Sequence, residues 1–184
     1  METTKPKSSN VALKWAVFNV LVSIIITYVI QFANLDPNSP VKYLSFIPFV
    51  AFLFLTQKEY RDKLGGYMTF GEGFLSGFLF SVYAGLMGAV FVYIYYTFLS
   101  PQMFQQIIDA SQTAMQEKGL PSDQIEHSTE ILHKFGVLLT TIGSVFGSAF
   151  IGAIVALIGA AIFKKEASVL DIENNAGNYT EPQQ

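Results

Sequence analysis

Both histidines of the chain lie in "EHSTEILHK", residues 126 to 134, where side-chain chemistry would be sought first. On a helix Glu126, Glu130 and His133 share a face, and Glu130 with His133 has the Glu-x-x-His spacing of carboxylate metal sites. Such a site takes two of these motifs and further carboxylates, whereas the sequence holds one. A solvated helix face is therefore expected, with no metal, cofactor or catalytic residue assigned. The His-Glu-x-x-His of zinc proteases is missing, and neither histidine falls in an apolar stretch where a membrane serine nucleophile would need its base.

The glycine-rich "KLGGYMTFGEGFLSG", residues 63 to 77, invites a nucleotide reading and fails it. A phosphate loop needs a lysine and a hydroxyl after its last glycine, and the dinucleotide fingerprint needs a different glycine spacing within a strand-helix-strand unit. Steps of four explain the stretch better. Thr69, Gly73, Gly77, Ser81, Gly85 and Ala89 form one strip of small residues on a helix; Gly136, Thr140, Ser144, Ser148, Gly152, Ala156 and Ala160 form another. Small residues let backbones approach closely where hydrophobic burial gives no advantage. The candidates for helix packing are Gly73, Gly77, Ser81, Gly85, Ser144, Ser148, Gly152 and Ala156. Whether the strips face each other or a second chain is open at this level. Glu72 sits at the start of the same helix, where a carboxylate suits the positive end of the helix dipole and stays at the membrane interface.

A third row at the same step is polar: Asn19, Ser23, Thr27 and Gln31. Against lipid these groups cost free energy, so the row is expected to face the protein interior and bond across helices. A water-filled path is the sharper alternative. Against it, no acid, base or histidine lies mid-membrane, and such groups usually mark ion and proton routes.

These rows must be carried by membrane helices. Apolar residues make up 51% of the chain and charged residues 14%, with the charges excluded from long apolar runs. The expected class is all-α: an integral membrane protein with four transmembrane helices at about 13–32, 41–57, 70–99 and 135–163. A kink is expected at Pro48 in the second. Residues 101–134 form a helical extramembrane loop between the third and fourth helices, with a helix starting at Ser122 that feeds the last span. Residues 1–10 and the tail 166–184 are too polar to fold alone. The first run continues past the length of a signal peptide and lacks a good cleavage site, so an uncleaved span is expected. A net charge of −3 gives no basic footprint for nucleic acid. With no cysteine, disulfides and thiolate metal sites are excluded.

The charged connector "KEYRDKLGGYMTFGEGFLSG", the aromatic "YIYYTFLSPQMF", the helical loop and the closing lysine pair resemble a bacterial membrane family, domain of unknown function 4199. The resemblance spans about residues 10 to 165. It implies four spans in a bacterial inner membrane and supplies no activity, cofactor or catalytic residue. The expected role is a non-enzymatic accessory or scaffold subunit acting by helix association, with a small transporter or pore subunit as the alternative. Its partners are the lipid bilayer and either a second copy or another membrane protein.

Lysine and arginine set the orientation. Lys5, Lys7, Lys14, Lys58, Arg61, Lys63, Lys164 and Lys165 fall on one side, and Lys42, Lys118 and Lys134 on the other. Both termini are thus expected in the cytoplasm. In intact cells a cysteine at Ser8 should resist an impermeant thiol reagent and one at Ser122 should label; the reverse pattern would contradict the orientation.

Overall fold

The structure, a computed structural model, describes residues 6–33, 35 and 40–166. Among these the chain is helical and contains no strand. The Asp36-Pro37 break, residues 1–5 and the tail from 167 lie outside the described residues.

Helix α1 runs Ser8–Phe32, starting earlier than the sequence suggests. Ser8, Ser9 and Asn10, expected to be unstructured, join it because Val11 is buried against Tyr60 and Met68, and this contact holds the first turn in place. A 3-10 helix, Pro40–Ser45, leads into α2, Phe46–Lys63. Pro48 thus falls in the first turn of α2, where backbone N–H groups have no intrahelical acceptor. The proline marks a helix start, which replaces the expected mid-helix kink. The charged connector continues α2 to Lys63, and Gly65 and Gly66, at φ +83° and +89°, then reverse the chain. Their N–H groups donate to Asp62 O at 3.2 Å and Arg61 O at 3.0 Å, a Schellman ending that only glycine enters without strain.

Thr69 caps α3, Phe70–Ile94, which passes into a π-helical turn, Tyr95–Leu99. Helix α4, Pro101–Glu117, begins with proline at its first position, and α5 runs unbroken over Ser122–Phe163. At about 1.5 Å per residue α5 is about 63 Å long, twice the ~30 Å of bilayer hydrocarbon. Its N-terminal part packs on α4, with Phe104 against Gly136. Among the described residues three helices are long and apolar enough to cross a membrane: α1, α3 with its π turn, and α5. Helix α2 falls outside that group because Lys58, Glu59, Arg61, Asp62 and Lys63 occupy its last turns.

Helix α3 is the hub, touching α1, α2 and most extensively α5. The α3–α5 contact is made by the small residues. A Cβ built on Gly77 would lie 2.9 Å from the Ala156 methyl, and one on Gly73 would lie 3.2 Å from that of Ala160. A Cβ on Gly152 would overlap Ser81 Oγ and Cβ. The backbones are therefore as close as glycine permits. Gly152→Ala should destabilise the chain by about 1–3 kcal/mol in mixed-micelle unfolding, and Ser81→Gly in the same chain should recover part of that loss. Simple additivity of the two changes would contradict the contact.

Candidate functional site

The close contact of α3 with α5 continues to Gly85, where an added Cβ would overlap Ser148 Oγ, and beside it the helices leave space unfilled. A partly open cavity of about 420 Å³ results. Asn19, Ser23 and Thr27 line it from α1, Gly85 and Gly88 from α3, and Ser144, Gly147 and Ser148 from α5. Phe46 and Phe49 of α2 and Phe91 of α3 supply apolar wall. The polar row of α1 and the outer parts of both small-residue strips thus meet at one place. Among the described residues no ionisable side chain lines it.

Both ends are filled. Towards the N-terminus of α1 lies the buried core of Ala12, Ala16, Leu53, Phe80, Ala84 and Ala156. Towards its C-terminus, one helical turn past Thr27 and Phe91, Gln31 donates through Nε2 to Ser100 Oγ at 2.9 Å, and the Tyr95 hydroxyl donates to Gln31 Oε1 at 3.1 Å. Gln31 therefore leaves the row: it ties α1 to the π turn and stays out of the cavity lining. Tyr28 meets the edge of Tyr95 beside it.

Three hydroxyls of the cavity lining donate to backbone carbonyls of their own helices. Thr27 donates to Ser23 O at 2.9 Å, Ser144 to Thr141 O at 2.7 Å and Ser148 to Val145 O at 2.9 Å. Asn19 is 6% exposed, and its Oδ1 is buried with no hydrogen-bond partner among the described residues.

The remaining sequence candidates have structural surroundings. Gly73, Gly77, Ser81, Gly152 and Ala156 lie in the closed α3–α5 seam. Glu72 completes a capping box, accepting from Thr69 N at 2.9 Å while its own N–H donates to Thr69 Oγ1 at 3.3 Å. Glu126, Glu130 and His133 line a groove with Gln112 and Gln116 of α4.

Gln57 was legible only as the polar end of an apolar run, yet it is wholly buried. Its Nε2 donates to Gly73 O at 3.1 Å and Ala156 O at 2.9 Å, pinning α2 to the α3–α5 seam. The available signal was its position four residues after Leu53, on the face that also enters the core.

A second polar cluster sits at the opposite end of the bundle from α4. Glu59 accepts from both Lys14 and Lys63, the latter at 3.1 Å, and from Trp15 Nε1 at 2.7 Å. Partial burial alone would raise its pKa, but the hydrogen bonds from Lys14, Lys63 and Trp15 outweigh that and hold it below the ordinary value. Backbone pairing of Met68 with Lys165, at 2.8 and 2.9 Å, brings the start of α3 and the end of α5 to the same end.

A family model described as "protein of unknown function (DUF4199)" matches residues 14–165. No curated protein and no solved structure matches the chain.

Because the folded pKa of Glu59 is depressed, its stabilising contribution is present above the unfolded value and lost as pH falls through the folded one. The stability difference between the wild type and Glu59→Gln should therefore shrink on acidification from about pH 7 to about pH 3, by no more than about 1 kcal/mol for groups this exposed. A difference independent of pH would contradict the assignment.

Proposed function

This chain belongs to the DUF4199 family of unknown function, and from its cavity we propose a non-enzymatic accessory membrane protein whose working part is a ligand-binding site inside the bundle. One observation carries the reading: the polar row of α1 lines a partly open cavity bordered, through Ala84, by the buried core around Phe80 and Leu53. A conduit needs a continuous path, and a binding site needs a closed end. The lining offers no acid, base or histidine to move a proton, which favours binding over catalysis. Its volume falls within the range of about 300–1,000 Å³ typical of small-molecule sites.

In this reading the chain crosses a bacterial inner membrane four times with both termini in the cytoplasm. The fourth crossing is residues 41–57, the 3-10 helix with the apolar turns of α2, and beyond it the Lys14–Glu59 pair returns the C-terminal end of α2 to the N-terminal end of α1. The lysine-rich segments then share one side, as the positive-inside rule asks. Helix α4 and the first turns of α5 project on the other. The outward face of α5, where Phe146, Phe150 and Ile158 are exposed, meets lipid or a partner helix.

Gly88 offers the cleanest test, because a Cβ there has no neighbour within 4 Å and a large side chain would enter the cavity. Native mass spectrometry of gently extracted wild-type chain should show a bound small molecule, and Gly88→Phe should lose it while keeping helicity and thermal stability. A bare wild-type chain, or a ligand that persists in the variant, would overturn the reading.

A further inference from the structure

The cavity lies at the depth of the bilayer hydrocarbon. Its long walls are residues 19–27 of α1, 84–92 of α3 and 144–151 of α5, which fall around the middle of the three helices able to cross a membrane. Along the helix axes it is bordered by protein, through Ala84 at one end and, past Thr27 and Phe91, by the bonds of Gln31 with Ser100 and Tyr95 at the other. The opening is therefore sideways. Helix α1 packs on α2 and α3, and α5 on α2, α3 and α4, so at this level the start of α2 stands between α1 and α5. The most exposed residues of the lining are Phe46 of α2, at 42%, and Ile151 of α5, at 37%. Their sequence neighbours Ile47 and Phe150 are more exposed still. A mouth edged by these residues looks onto lipid tails.

The surface inside is of the same kind. It is mainly apolar, with Val20, Phe46, Phe49, Phe91, Val92 and Ile151 in its wall. Thr27, Ser144 and Ser148 donate to carbonyls of their own helices, and Ser23 and Ser45 have carbonyls of the preceding turn to accept from them in the same way. Asn19 Oδ1 is buried and offers the cavity no surface. Hydrocarbon in this space leaves no polar group worse bonded than an empty cavity does, and it restores the dispersion contacts that a void forfeits. A charged group would enter without a partner, because among the described residues no ionisable side chain lines the space, and a desolvated, unpaired charge is costly. A water-soluble ligand would have to cross lipid to reach the mouth.

Resting on the binding reading above, we infer that the cavity takes one acyl chain of a bilayer phospholipid, which enters between the start of α2 and α5 while its headgroup stays at the membrane surface.

The test places the full chain in nanodiscs of phosphatidylcholine doped with the same lipid carrying a photoreactive diazirine midway along one acyl chain, and maps the adducts by mass spectrometry. Exposed Phe146, on the outer face of α5, meets lipid in any case and serves as the reference. In the wild type, adducts should form on Val20, Phe91 and Ser148 as well as on Phe146. In Gly88→Phe, whose side chain competes for the same volume, the cavity adducts should fall by about tenfold or more while those on Phe146 hold. Ile151→Trp, a second variant at the exposed rim, should lower the same adducts by narrowing the mouth. Cavity adducts that are equal in the wild type and both variants would overturn the inference. Adducts confined to the outer face, on a chain that carries a bound molecule other than a lipid in native mass spectrometry, would overturn the acyl chain and leave the binding cavity. Adducts confined to the outer face of a chain that is bare in native mass spectrometry would overturn both.

Discussion

The closeness of α3 and α5 is the constraint on which the other features rest. In lipid, burying apolar side chains gains little, because the surroundings are already apolar; contact between backbones must supply the cohesion through dispersion and short polar bonds. Gly73 and Gly77 against Ala160 and Ala156, and Gly152 against Ser81, bring the two helices together to the limit that glycine allows. Gln57 then reads the result from α2, since its amide donates to carbonyls of both helices at once. Two helices farther apart would put those acceptors out of its joint reach.

The same economy of side chains produces the cavity. Small residues fill the seam as far as Gly85 against Ser148, and beside it Gly85, Gly88, Ser144, Gly147 and Ser148 have too little volume to fill the space towards α1. Helix α1 turns its polar row towards that gap, which removes Asn19, Ser23 and Thr27 from lipid. The Gln31–Ser100–Tyr95 bonds close the far end where the π turn redirects the chain into α4. Packing and site are thus consequences of one pattern, strips of small residues that let α3 and α5 touch and leave space beside the contact.

Much of this was legible in the sequence because helical spacing survives folding. The steps of four in α1, α3 and α5 are visible as letters, and so is the start of a helix near residue 70, with Glu72 at its N-terminal end. Pro48 was misread because a proline inside an apolar run looks the same whether it bends a helix or begins one; the 3-10 helix over Pro40–Ser45 decided it. Ser8–Asn10 looked like an unstructured terminus, since the contact of Val11 with Tyr60 that recruits them is tertiary. Gln57 was hidden for the same reason: a polar residue ending an apolar segment resembles a membrane boundary until the helix is seen to continue. The cavity left no sequence signal, because it is defined by how α1, α2, α3 and α5 sit together.

The central claim is that the two small-residue strips close on each other within one chain, and the lack of native cysteine makes it directly accessible. With a Cβ at Gly73 placed 3.2 Å from the Ala160 methyl, cysteines at both positions lie near the separation of about 3.5–4.5 Å that a disulfide spans. Mild oxidation of the Gly73→Cys, Ala160→Cys chain in its membrane should give an intramolecular disulfide in a species that migrates as a monomer. Disulfide-linked dimers, or two thiols that stay free, would mean that the strips meet another chain or do not meet at all.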